Sequence, residues 1–131
     1  MPKKSMPTQV LPPQVHIRVV VELIGGNPIF TYINDKGDAC NGNADITALH
    51  SAICYTLVDN CNDFIFASPI IDKHKHAKDL VITTSSNRKT LIMTDTKLNF
   101  DEISFQLVVV KESDLTKPYI SPDPVLRKVP D

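Results

Sequence analysis

The sequence predicts an all-β domain, an antiparallel immunoglobulin-like β-sandwich of about seven strands. Three observations predict it. Val, Ile and Thr together number 35 among 131 residues, and their stiff branched side chains favour extended backbone. Several short apolar segments alternate with period two, the signature of strands with one buried face. Turn signals separate these segments, with no regular alternation of strand and helix and no internal repeat. A small barrel is the alternative.

The first strand covers residues 15–23. Val15, Ile17, Val19, Val21 and Leu23 are apolar, and the even positions are polar except Val20. Gly25-Gly26-Asn27-Pro28 signals a turn into a second strand at 29–33, giving a hairpin. Residues 34–45 carry Asn, Asp, Gly and Lys and read as a surface loop. Residues 45–52 fit either a helix capped by Asp45 or the approach to a strand at 52–58. A further strand covers 63–67, closed by Ser68-Pro69. Residues 80–84 and 90–94 form a second hairpin around Ser85-Ser86-Asn87-Arg88-Lys89. Residues 103–110 become apolar on both faces near their end and read as one central strand. Tyr119-Ile120 adds a short last strand before a proline-rich tail.

The domain is therefore expected over 14–131, preceded by an extended arm at 1–13. Lys3 and Lys4 are followed by prolines and no apolar stretch, which does not fit a targeting signal. A cytoplasmic location is the default expectation. The charges, 14 basic against 15 acidic, argue against a nucleic-acid binder that works by neutralising phosphates. No apolar run approaches the roughly 20 residues that span a bilayer, so no membrane insertion is expected.

The reactive side chains offer little familiar machinery. Cys40, Cys54 and Cys61 are an odd count, unlike a disulfide scaffold, and their spacings match no zinc pattern. Cys54 reads as a small core residue and Cys40 as a loop bystander. His74 and His76 would share a face of an extended segment, but Lys73, Lys75 and Lys78 repel a cation, so a solvated loop is the better reading. His16 and His50 stand alone. No phosphate loop, dinucleotide fingerprint or nucleophile elbow is present, and neither cofactor nor metal is expected.

Asp123-Pro124 is the sole Asp-Pro bond, and Pro122 precedes it. Pro122 fixes its own φ, and Pro124 pushes Asp123 away from the α region. The Asp123 carboxylate reaches its own carbonyl carbon through a five-membered ring. Attack expels the Pro124 nitrogen as a secondary amine and leaves a cyclic anhydride, which water opens or a lysine amine traps as an isopeptide. The step needs an acid for the proline nitrogen. Taken alone, such a dipeptide is more often an inert turn.

The early strand at 15–23, the late Phe105-Gln106-Leu107-Val108-Val109, and the terminal Ile120-Ser121-Pro122-Asp123-Pro124 together resemble the bacterial Asp-Pro self-cleaving endopeptidases, written DP-EP, over residues 14–131. The resemblance implies a β-sandwich that cuts between Asp123 and Pro124 and keeps residues 124–131 docked as its own C-terminal peptide. It also implies an aspartate that orients or activates water and a lysine near the cut. Asp95 is the helper-acid candidate, because it ends a strand placed to neighbour the last one. Lys111 and Lys97 are the lysine candidates. The competing expectation is a non-enzymatic immunoglobulin-like binding or assembly module using its loops or an unpaired strand edge. Unpaired edges also make self-association an expected partner mode.

Overall fold

The computed structural model describes residues 14–46, 52–58, 63–71, 80–95, 102–122 and 125–128. Among these residues the chain is all-β. Its strands are β1 (Gln14–Ile24), β2 (Asn27–Ile33), β3 (Ala39–Cys40), β4 (Ala44–Ile46), β5 (Ala52–Leu57), β6 (Phe64–Phe66) and β7 (Ile70–Ile71). They continue with β8 (Leu80–Thr84), β9 (Thr90–Asp95), β10 (Glu102–Gln106), β11 (Val108–Lys111), β12 (Asp114–Ile120) and β13 (Val125–Lys128). None of the described residues forms a helix long and apolar enough to cross a membrane.

Three sheets result. Six strands run β3-β2-β1-β5-β9-β8, four run β4-β13-β10-β7, and three run β12-β11-β6. The expected β1–β2 hairpin forms, with Ile24 opposite Asn27 and only Gly25-Gly26 between them. Both glycines have positive φ, 61° and 83°, which a two-residue turn of this hand requires. The β8–β9 hairpin also forms as expected, with Thr84 opposite Leu91.

Four expectations are corrected. The loop at 34–45 contains β3 and β4. The chain reverses there because the Asn34 side-chain oxygen accepts from both Lys36 N and Asp38 N, at 3.0 Å each. The strand expected at 103–110 is two, β10 and β11, separated at Leu107. The short last strand at 119–120 is the end of the longer β12, and the proline-rich tail contains β13, so about seven strands become thirteen among the described residues. Finally, the sheets are mixed. β1 pairs with β5 in parallel, and β13 pairs with β4 in parallel. Of the ambiguous residues 45–52, Asp45 and Ile46 belong to β4 and Ala52 to β5, while 47–51 lie outside the described residues.

The alternation of β1 does what its pattern predicts. Ile17, Val19 and Val21 are buried while Gln14, His16, Arg18 and Glu22 are exposed. One apolar cluster joins these residues and Tyr55, Leu91 and Met93 of the six-stranded sheet to Phe66, Phe105 and Val109 of the smaller sheets and to Leu107 between β10 and β11. The rings of Tyr55 and Phe105 meet edge to face at 5.8 Å across that core, and Phe64 meets Tyr119 likewise at 5.6 Å. Full burial of such a side chain contributes about 1.5–3 kcal/mol each. This shared core fixes β10 and β11, and therefore the chain that runs beside them.

Candidate active site at a step in strand register

β10 and β11 follow one another with only Leu107 between them. The chain from β12 to β13 runs antiparallel along both. On one side Val108 faces Ile120, and Ser121 N donates to Leu107 O at 2.9 Å. On the other side Ser104 faces Val125. From Leu107 back to Ser104 is three steps, whereas from Ser121 to Val125 is four. One extra residue must therefore be absorbed between Ser121 and Val125, the arithmetic of a β-bulge. Pro122, Asp123 and Pro124 fill that interval. Asp123 and Pro124 themselves lie outside the described residues.

Both flanks of the step are held. Ser121 is 1% exposed. Its hydroxyl oxygen accepts from Leu107 N at 2.8 Å, and its carbonyl accepts from Gln106 Nε2 at 3.1 Å. Beyond the step, β13 is gripped on both edges. Glu102, Ile103 and Ser104 of β10 pair with one side, and Ala44, Asp45 and Ile46 of β4 with the other.

Two buried tyrosines, Tyr32 and Tyr55, lie near one another, and Tyr32 lies near Ser121. Tyr32 of β2 is buried, and its hydroxyl has no hydrogen-bond partner among the described residues. The Ser121 hydroxyl lies close enough to favour the phenolate somewhat, yet no hydrogen bond of normal geometry joins the two. Burial nevertheless dominates and pushes the Tyr32 phenol above its ordinary value, with nearby Cys40 adding to the rise, so the phenol keeps its proton at neutral pH. Tyr55 is held even more firmly protonated, first by burial and then by its neighbours Tyr32 and Cys40. Its hydroxyl, however, is satisfied: it donates to Gly42 O at 2.7 Å. Gly42 fits this place for two reasons. Its φ is +83°, and a Cβ there would sit 2.9 Å from Cδ2 of the Tyr32 ring. The same loop leads into β4, which pairs with β13. Leaving a buried hydroxyl unsatisfied costs about 1–3 kcal/mol, so Tyr32 is the conspicuous exception in an otherwise well-bonded cluster.

The residues singled out from the sequence are spread more widely. Asp95 is the last residue of β9, opposite Leu80. β9 lies between β5 and β8, whereas β13 lies between β4 and β10. The strand neighbourhood that recommended Asp95 is therefore absent. Lys111 ends β11, opposite both Phe64 and Asp114, at the turn end of the β11–β12 hairpin. Leu107, and with it Ser121, lies four residues away, about 13 Å along a strand. Lys97, His50, His74, His76 and Cys61 lie outside the described residues. His16 is exposed on β1. Cys54 is buried, and burial raises its thiol pKa, which fits an inert core residue. Among the described residues no group of three or more metal-ligating side chains gathers.

Sequence reasoning missed Tyr32, Gly42, Gln106 and Ser121. Tyr32 shows only as an apolar-phase residue of β2, and Ser121 only as a small polar residue before proline. Their meeting is a tertiary fact with no local signal.

The class defined so far is an all-β, single-core protein whose last described strand follows an Asp-Pro bond placed at a register step. The chain belongs to the DP-EP family, whose sequence pattern matches residues 13–130. Among curated proteins none matches it. Among solved structures, an inclusion body protein (PixA) from Burkholderia cenocepacia is similar over 97% of this chain and 100% of its own, with 7% identity and a TM-score of 0.43. A likeness of that grade carries no argument about fold or function.

Proposed function

We propose that this protein cleaves its own Asp123–Pro124 bond and retains residues 124–131 through β13. The observation that carries the reading is the register step. The only Asp-Pro bond falls where one surplus residue must be absorbed, between a clamped Ser121 and a strand paired on both edges. Bulges recur beside active sites because they re-aim a side chain. The Asp123 carboxylate attacks its own carbonyl carbon, the bond to the Pro124 nitrogen breaks, and water opens the resulting anhydride. The nitrogen needs a proton as it leaves. Afterwards the pairing of β13 holds the peptide, to β10 on one side and β4 on the other.

Within this reading the helper acid and the lysine that meets the anhydride are still to be assigned: Asp95 and Lys111 or Lys97 are the sequence candidates, but β9 does not neighbour β13 and Lys111 ends β11 away from the step. Alanine variants of each, followed by intact mass, decide their roles. An immunoglobulin-like sandwich is the finer fold reading. Its support is the single core shared between sheets, and the two parallel pairs depart from it. A bacterial setting follows from the family resemblance, and a cytoplasmic location stays the default reading.

One observation favours the second reading, a binding or assembly module without chemistry. β12 is an outer strand of its sheet and presents Leu115, 62% exposed, and Ile120, 41% exposed. Such an edge suits a strand from a partner or a second copy. Intact mass of fresh and aged protein under denaturing conditions separates the two readings. A fragment ending at Asp123 with a peptide starting at Pro124 supports cleavage. A single full-length mass at every age and pH leaves the binding module.

A further inference from the structure

Away from the register step, the described residues enclose a cavity of about 400 Å³ between β8 and the turn that joins β6 to β7. Those three strands are each the outer strand of a sheet, so among the described residues no further strand fills the gap. Pro69, Ile82 and Leu91 give the cavity an apolar wall, and Leu91 is fully buried. Ser68, Thr83 and Thr84 add hydroxyls. Arg88 is the one charged residue of this lining. Among the described residues its guanidinium makes no ion pair and no hydrogen bond.

The backbone of Arg88, by contrast, is fully employed. Its N–H donates to Ser85 O at 2.9 Å, and its carbonyl accepts from Phe66 N at 2.8 Å. These bonds pin the β8–β9 turn to β6 and accompany a φ of +59°. Arg88 is the one residue other than glycine with positive φ among the described residues. Glycine or asparagine suits that backbone better than arginine does. Main-chain bonds do not call for a guanidinium, so an arginine kept in a strained conformation at a cavity points to work done by its side chain.

We propose that this cavity binds a small organic carboxylate with a short aliphatic tail, and that Arg88 holds the carboxylate. The proposal is independent of the self-cleavage reading. A guanidinium presents parallel N–H donors that match the two oxygens of a carboxylate. The hydroxyls beside it supply further donors. The tail lies on Pro69, Ile82 and Leu91, apolar surface that a bare inorganic anion leaves wet. The volume is that of a small-molecule site.

The test is a titration of the full chain with hexanoate, followed by the backbone amide signals in NMR. Hexanoate should bind saturably and shift Thr83, Thr84 and Arg88 while leaving the β1–β2 hairpin in place. Hexan-1-ol, which has the same tail and no charge, should bind about tenfold more weakly, the scale of one lost charge-assisted pair. Inorganic phosphate should also bind more weakly than hexanoate. Arg88→Gly keeps both main-chain bonds and suits the positive φ, so it should melt no lower than the parent. Its affinity for hexanoate should nevertheless fall about tenfold. Arg88→Lys keeps the charge without the fork and should fall between the two. Equal affinity in the parent and Arg88→Gly, or no saturable shift at Thr83 and Thr84, overturns the site. Phosphate binding as tightly as hexanoate overturns the carboxylate assignment. An Arg88→Gly variant that melts below the parent marks a structural role for the side chain and overturns the argument from its backbone.

Discussion

The β1–β2 hairpin and the run from β12 to β13 along β11 and β10 are both antiparallel ladders, yet they behave differently. The hairpin holds one register through seven pairs, from Ile24–Asn27 to Arg18–Ile33. The second run shifts register twice, first between Val109 and Lys111 of its partner and then by one residue between Ser121 and Val125. An unbroken ladder buries one face and stabilises the fold. A broken ladder concentrates odd features: an acid between two prolines in sequence, a buried serine bonded through its side chain, and a tyrosine hydroxyl without a described partner. Irregularity that the surrounding structure over-determines is where chemistry is expected.

The sharpest way to break this contrast is Asp123→Ala. It removes the nucleophile and should leave one uncut mass at every age, and persistent cleavage would contradict the carboxylate route. Next is Phe105→Ala, which deletes the ring that ties the slipped region to Tyr55 of the regular sheet. Chemical denaturation should register a loss of about 3–5 kcal/mol. A third variant, Gly42→Ala, forces a Cβ against the Tyr32 ring at a φ of +83°. It should cost about 1–3 kcal/mol and slow cleavage, because the strain falls on the loop between Tyr32 and β4. Gln106→Leu removes one side-chain bond to the Ser121 carbonyl. A stability change of about 1 kcal/mol is expected, with a larger proportional effect on cleavage kinetics by mass spectrometry. The smallest effect should come from Gly26→Ala in the regular hairpin, where open space surrounds the new methyl but φ is +83°. It should cost about 1 kcal/mol and leave cleavage untouched. A cleavage defect there, equal to that of Gly42→Ala, would erase the distinction between the two regions.

The same contrast explains what the sequence made legible. β1, β2, β8 and β9 announce themselves, because alternation and turn residues are local signals and these strands are regular. The break at Leu107 is silent, since Leu107 continues the apolar phase of residues 103–109. β12 is hidden because Asp114 to Pro118 face solvent on both sides, and proline belongs in a strand only at an edge. β13 is short and lies in proline-rich chain, so nothing in Val125-Leu126-Arg127-Lys128 shows that it pairs on both edges. Alternation reports which face is buried but not strand direction, so the parallel β1–β5 and β13–β4 pairs needed coordinates. At the site, Asp123-Pro124 was legible as chemistry written in adjacent residues. Tyr32 and Ser121 were not, because only the packing of one sheet on another brings them together.

The central claim is that the bond after Asp123 breaks while β13 stays in place. Native and denaturing mass spectrometry of one aged sample test it together. The account predicts a native species heavier than the intact chain by one water, which separates under denaturing conditions into residues 1–123 and 124–131. A single unbroken chain in both measurements would contradict it.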